Sequence, residues 1–177
     1  PLIYINLLCF NWQMSAGDFL GLGAALQSLG FDLNPEKINR TFMQNIGAYF
    51  SISLMISAAG TVTAHELVHR VWDRKSLIVG RWLLAPSCDT GFAIEHVYGH
   101  HANVATDKDP SSARRGEGFW RFFPRSAMGA FTGAWTIEKK RLEKRHAGAT
   151  WSRHNIFLRG QLMSLGVLTI YIAAQGW

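Results

Sequence analysis

Three stretches of this 177-residue chain carry no charged side chain: residues 1–17, 41–64 and 160–177. The longest, 41–64, runs for 24 residues, and about 20 apolar residues suffice to cross the hydrocarbon core of a bilayer. Its small and hydroxyl residues (Ser51, Ser53, Ser57, Gly60, Thr61, Thr63) suit close helix packing in lipid. Between these stretches the pattern is mixed. Residues 76–96 carry an apolar run, Leu77, Ile78, Trp82, Leu83 and Leu84, interrupted by Arg81 and Pro86, which predicts a segment lying in the interface or dipping into the bilayer. Residues 102–118 read as a polar loop with Asp109-Pro110 as a turn former. Residues 129–148 predict an amphipathic helix, with Phe131, Trp135, Ile137 and Leu142 opposite Lys139, Lys140, Arg141, Lys144 and Arg145. The expected fold is all-α: a transmembrane helix bundle in one incomplete domain, 1–177, with a cytoplasmic or interfacial helical cap over 65–159.

Composition agrees with a membrane protein. The chain is 48% hydrophobic and 17% charged, below the ~25% charged of an ordinary soluble domain. Sixteen of its eighteen Lys and Arg residues lie between Arg70 and Arg159. Basic residues near span ends favour the cytoplasm, so 41–64 is expected to emerge inside at His65, and 160–177 to turn back into the bilayer. The net charge of +6 then belongs to a basic cytoplasmic face that attracts anionic lipid or an acidic partner. Nucleic acid is not an expected partner, because no basic module with interleaved aromatics is present. Cys9 and Cys88 have no metal or redox spacing and are expected to be reduced. No basic stretch followed by a cleavage site marks a signal peptide. The chain starts at Pro1 and stops within an apolar run, so it is expected to be the middle of something longer.

The chemistry is carried by histidine. Five of seven histidines fall in 37 residues, in His65-Glu66-Leu67-Val68-His69 and Glu95-His96-Val97-Tyr98-Gly99-His100-His101. On a helix, residues i and i+4 share a face, so His65 with His69, and His96 with His100, are expected to aim at common points. His101 stands about 100° round from His100 on an ideal helix and reaches a neighbouring point, unless the helix ends there; Gly99 leaves room for a close approach or a break. A catalytic zinc takes typically three protein ligands, and imidazole also suits iron and copper. Five imidazoles are read as two metal ions sharing one set of histidines, with iron the favoured identity. The first cluster alone also fits the His-Glu-x-x-His zinc protease signature, but a protease needs one further ligand, not three more histidines. Chance clustering of surface histidines is the remaining alternative. His146 and His154 lie in a basic stretch without a partner at helical spacing and are expected to be solvated.

His-Glu-Leu-Val-His-Arg at 65–70 resembles the first histidine box of membrane-bound alkane monooxygenases, and Glu-His-Val-Tyr-Gly-His-His at 95–101 resembles their second. The likeness continues through Val104-Ala105-Thr106, Asp109-Pro110, Arg114, Gly116-Glu117 and Phe122, then Ala134-Trp135, Glu138, Arg141-Leu142, Trp151 and Asn155. The boxes alone also fit the wider superfamily, including membrane fatty acid desaturases. The resemblance implies a non-haem di-iron hydroxylase of the bacterial inner membrane that inserts one oxygen atom of O2 into a terminal C–H bond of an alkane. It implies rubredoxin as electron donor, itself reduced by an NAD(P)H-dependent reductase. It carries His65, His69, His96, His100 and His101 over as iron ligands, and gives Glu66 and Glu95 a role orienting imidazoles through hydrogen bonds. The alternatives are a desaturase or another apolar-substrate hydroxylase, then a membrane zinc protease or a non-catalytic metal-binding protein. Two departures stand out: residues 27–40 make a longer segment than the family pattern, and the family's further histidine boxes follow a span like 160–177. The isolated chain is therefore expected to hold less than its full iron and to be inactive.

Overall fold

A computed structural model describes residues 2–15, 17–31, 40–145 and 149–174, and all regular structure among them is helical. We number the helices α1 (Leu2–Met14), α2 (Leu22–Ser28), α3 (Phe42–Val68), α4 (Arg74–Leu84), α5 (residues 92–103), α6 (Phe119–Lys144) and α7 (Ile156–Ala174). The chain divides into two compact units, residues 1–62 with 166–177, and residues 63–165.

The first unit holds α1, α2 and the apolar lengths of α3 and α7. Helix α3 starts where a capping box allows it: Thr41 Oγ1 accepts from the Gln44 amide at 3.3 Å and Gln44 Oε1 accepts from the Thr41 amide at 2.7 Å. Phe10 meets Tyr49 edge-on at 5.3 Å between ring centroids, and Asn11 Nδ2 donates to the Tyr171 carbonyl at 3.2 Å. Helices α3 and α7 are long and apolar enough to cross a membrane, yet only 11% and 17% of their most apolar windows are buried. A soluble core helix would be covered; here Phe42, Phe50, Leu54 and Ile170 stand open, as lipid-facing side chains do. Among the described residues the apolar segment 1–17 contributes α1, which is 13 residues long.

The second unit runs from the last turns of α3 to the first turns of α7. Helix α3 continues four residues past the uncharged stretch, which puts His65 in its final turn. Asp73 then caps α4 by accepting from the amides of Lys75 and Ser76. Helix α4 lies tight against the end of α3: a Cβ on Gly80 would meet Val68 Cγ1 at 3.0 Å and Leu67 Cβ at 3.2 Å. The interfacial segment expected at 76–96 is thus one amphipathic helix, a short 3-10 turn at Ala85–Ser87, and the start of α5. Ile94, Ala134 and Phe157 form the buried core that joins α5, α6 and α7, with Trp135, Ile137, Ile156 and Leu158 packed around it.

Helix α6 begins at Phe119, ten residues before the amphipathic pattern predicted; Phe119, Trp120, Phe122 and Phe123 lead up to Pro124, which the helix accommodates. Helix α7 begins at Ile156, four residues before the uncharged stretch, because its first amides are capped: the Leu158 amide donates to Asn155 Oδ1 at 2.9 Å, and the Ile156 amide donates to the buried Glu138 carboxylate. Arg141 neutralises Glu138 through Nε and Nη2, each 2.6 Å from a carboxylate oxygen. His154 is exposed, as expected, and its carbonyl accepts from Arg141. His146 lies outside the described residues. Cys9 and Cys88 are free and exposed.

Candidate metal centre

The last turn of α3 and the middle of α5 bring four histidines to one point. A ring nitrogen from each of His65, His69, His96 and His101 lies within 4.8 Å of the other three. His69 Nε2 is 3.4 Å from His65 Nε2 and 3.2 Å from His96 Nε2; His101 Nε2 is 3.1 Å from His96 Nε2. Imidazole nitrogens bind a divalent transition metal at about 2.0–2.1 Å, so neighbouring ligands around one ion stand roughly 3.0–3.4 Å apart. The observed separations fit that ligand set.

The two clusters reach this point differently. His65 lies in the last α-helical turn of α3, and His69, four residues on, is the first residue beyond its end. His96 to His100 form a π-helical turn, in which bonding runs i→i+5 and the turn is wider. On an ideal α-helix His101 would stand about 140° round from His96; the π turn swings it onto the same face. The partner of His96 is therefore His101, not the His100 that i, i+4 spacing suggested. His100 stacks beside His96, with ring centroids 5.3 Å apart and planes 18° from parallel. Phe92 stacks on His96 at 4.4 Å and 12°, fixing its ring plane.

His100 has a different anchor. Its Nδ1 lies 2.8 Å from Oδ2 of Asp109, whose side chain is fully buried. Donation from Nδ1 leaves Nε2 with its lone pair free, the pattern that carboxylates impose on metal-binding histidines. Asp109 also accepts from the Ser111 amide at 2.9 Å and from Ser112 Oγ. These bonds and the His100 contact outweigh its burial and hold its carboxyl below the ordinary range. Arg125 secures the loop: it grips Glu117 with Nε and Nη2, at 2.7 and 2.6 Å, and donates to the carbonyls of Pro110 and Ser112. Sequence reasoning read Asp109 as a turn former and as part of the family likeness, without a role at the histidines; its buried position beneath His100 is a tertiary fact.

Neither glutamate of the two clusters hydrogen-bonds an imidazole among the described residues. Glu66 is exposed and lies 3.6 Å from Arg70 Nη2, one turn along. Glu95 is buried against Gly99 and Gly133: a Cβ on Gly99 would come within 2.6 Å of its Oε1. Burial, then the nearby Asp109 charge, raise the Glu95 carboxyl pKa. The imidazoles shift the other way. Burial, then neighbouring His65 and His101, push His96 down to about 4, and the same causes lower His69. Both rings are neutral at pH 7, the form that ligates metal.

Comparison with known proteins adds to this geometry. Residues 41–177 match the model of the fatty acid desaturase family. The chain is 35% identical over 136 residues to alkane 1-monooxygenase 1 of Pseudomonas aeruginosa, covering 77% of this chain and 35% of that protein. It is 40% identical over 121 residues to alkane 1-monooxygenase of Acinetobacter baylyi, covering 68% and 29%. Alkane 1-monooxygenase 2 of Alcanivorax borkumensis is 37% identical over 101 residues, 56% of this chain and 26% of that protein. The chain thus spans about a third or less of the length of these relatives.

Proposed function

The chain belongs to the fatty acid desaturase family, and from that premise we propose that it carries part of the di-iron centre of a membrane monooxygenase that hydroxylates a terminal C–H bond of a medium- or long-chain alkane. The observation that carries this reading is the convergence of four imidazole nitrogens within 4.8 Å, at the end of a helix long and apolar enough to span a bilayer. Relatives named alkane 1-monooxygenase support the substrate class.

In this reading His65, His69, His96, His100 and His101 hold two iron ions. Bound iron would supply the activation of O2 needed to attack an unactivated C–H bond. The chain's own residues prepare and orient the ligands. Depressed basicity keeps His69 and His96 in their ligating form, Phe92 orients His96, and Asp109 fixes the tautomer of His100. The apolar substrate partitions into the bilayer and approaches along the exposed apolar faces of the spans. The protein sits in the bacterial inner membrane in several passes, with the basic region 66–159 and the metal centre on the cytoplasmic side. Electrons come from rubredoxin and its NAD(P)H-dependent reductase.

The test is metal content and product analysis of the full-length protein in membranes supplied with rubredoxin, reductase, NADH and octane. Iron near two per chain and 1-octanol as product are expected. Zinc near one per chain with no oxygen-dependent turnover would overturn the reading in favour of a membrane zinc protease. The family match favours a second reading, desaturation of a fatty acyl chain; an alkene product from acyl substrate with no alcohol from octane would select it. Labelling of a cysteine placed at Arg114 or Lys140 from the periplasm of intact cells would overturn the orientation.

A further inference from the structure

Arg81 and Arg159 are cations that neither the metal centre nor the ion pairs of α6 use. Both line a groove of about 430 Å³ beside α4 and α7, whose walls include Ile78, Trp82, Leu162 and Met163. Arg81 Nε is buried and makes no hydrogen bond among the described residues. The carboxylate closest in influence, Glu138, has its oxygens committed to Arg141 and the Ile156 amide. Burial, and after it the Arg159 charge, hold the Arg81 guanidinium below its ordinary pKa. Two like charges and an unmatched buried donor in one groove are the complement of an anion with several acceptor oxygens.

The rest of the groove says which anion. Arg159 lies in the first turn of α7, a helix apolar and long enough to cross a membrane, and Leu162 on the next turn is 65% exposed. Trp82 and Ile78 on α4 are exposed beside it, and tryptophan is enriched at the level of lipid headgroups. The groove therefore combines two cations with apolar wall residues, Leu162 and Met163, that follow Arg159 along α7. Free phosphate would use the first feature alone; a phospholipid uses both.

We propose that the Arg81–Arg159 groove seats the phosphate of an anionic phospholipid, with the acyl chain lying along Leu162 and Met163. The site would tie the cap that carries the histidines to the membrane surface.

The test uses the full-length protein exchanged into nanodiscs of equimolar phosphatidylcholine and phosphatidylglycerol, with tightly retained lipid counted by mass spectrometry. Phosphatidylglycerol is expected to be enriched over phosphatidylcholine in the retained fraction. Arg159→Gln should cut the enrichment about five-fold, the effect of one basic residue at an anionic surface, and Arg81→Gln with Arg159→Gln should return it to the bulk ratio. Enrichment that survives Arg159→Gln unchanged overturns the proposal. Because Arg159 is exposed, that variant decides the matter even if the double variant fails to fold. Saturable binding of inorganic phosphate that is lost in Arg159→Gln, with no lipid enrichment in the wild type, would assign the groove to free phosphate instead.

Discussion

The two histidine clusters solve one geometric problem in two ways. The first keeps α-helical spacing between His65 and His69, whose rings face one point, although a π-helical stretch at Ile56–Thr61 lies just before it in α3. The second inserts a π turn, so His96 pairs with His101, while His100 is released to a buried carboxylate. The first cluster is local: its glutamate is exposed and pairs with Arg70, four residues on. The second depends on distant residues, since Asp109, Arg125 and Glu117 together hold the loop beneath it. A cluster set by helix period tolerates changes in its surroundings. A cluster set by a widened turn and a buried loop does not.

The largest expected effect tests whether both clusters serve one centre. His69→Ala and His101→Ala should each lower iron retention and turnover of the full-length protein by about 100-fold or more, since removing a ligand costs at least what removing its supporting carboxylate does; His154→Ala should leave both unchanged. Normal iron content in His101→Ala would show that the π turn does not deliver a ligand. Next comes Asp109→Asn, which keeps the shape and removes the charge that fixes His100. A 10- to 100-fold loss of metal affinity is expected, measured by competition with a chelator, with His65 and His69 undisturbed in the residual site.

Gly99→Ala probes the π turn itself. The new Cβ would crowd Glu95 Oε1 at 2.6 Å and Ile137 Cδ1 at 3.2 Å, and overpacking of this kind costs about 1–3 kcal/mol. A fall in thermal stability of the metal-free protein is expected, whereas an unchanged melting temperature would mean that the turn yields freely. Acidification gives a smaller effect. His96 has a folded pKa of about 4 against 6.5 unfolded, so between those values the unfolded state binds more protons and metal-free stability falls as pH drops. The loss should run from about pH 6.5 down to about 4, and His96→Gln should flatten it. Smallest is Glu66→Gln: its exposed partner 3.6 Å away contributes about 0.5 kcal/mol at most, so chemical denaturation should hardly distinguish it from wild type. A large loss of metal in Glu66→Gln would instead tie the first cluster to its glutamate.

Much of the fold was legible in the chain. Residues 41–64 and 160–177 announced helices α3 and α7 because an uncharged run of that length has few other solutions. Their true starts and ends were not fully legible, since the start of α7 at Ile156 is capped not only by the neighbouring Asn155 but also by Glu138, 18 residues earlier, which accepts its first amide. Helix α6 was seen from 129 but begins at Phe119, where four aromatic residues just before Pro124 hide the helical period. The spacing of the first histidine pair gave its geometry directly. The spacing of the second suggested His96 with His100, whereas His101 is the ring brought to His96, because an i, i+4 argument assumes an α-helix and this turn is a π turn.

By itself, then, the sequence determined an all-helical chain with two long apolar helices, a basic middle region and five histidines within 37 residues. These are properties of composition and period, which local physics reads without knowing what lies across the fold. Tertiary structure decided that four nitrogens meet within 4.8 Å, that His101 rather than His100 completes the group, and that Asp109 serves His100 from nine residues away. Those outcomes rest on a π turn packed against α6 and on a loop clamped by Arg125. The free energy of such contacts comes from burial and hydrogen bonding between elements that no local spacing encodes.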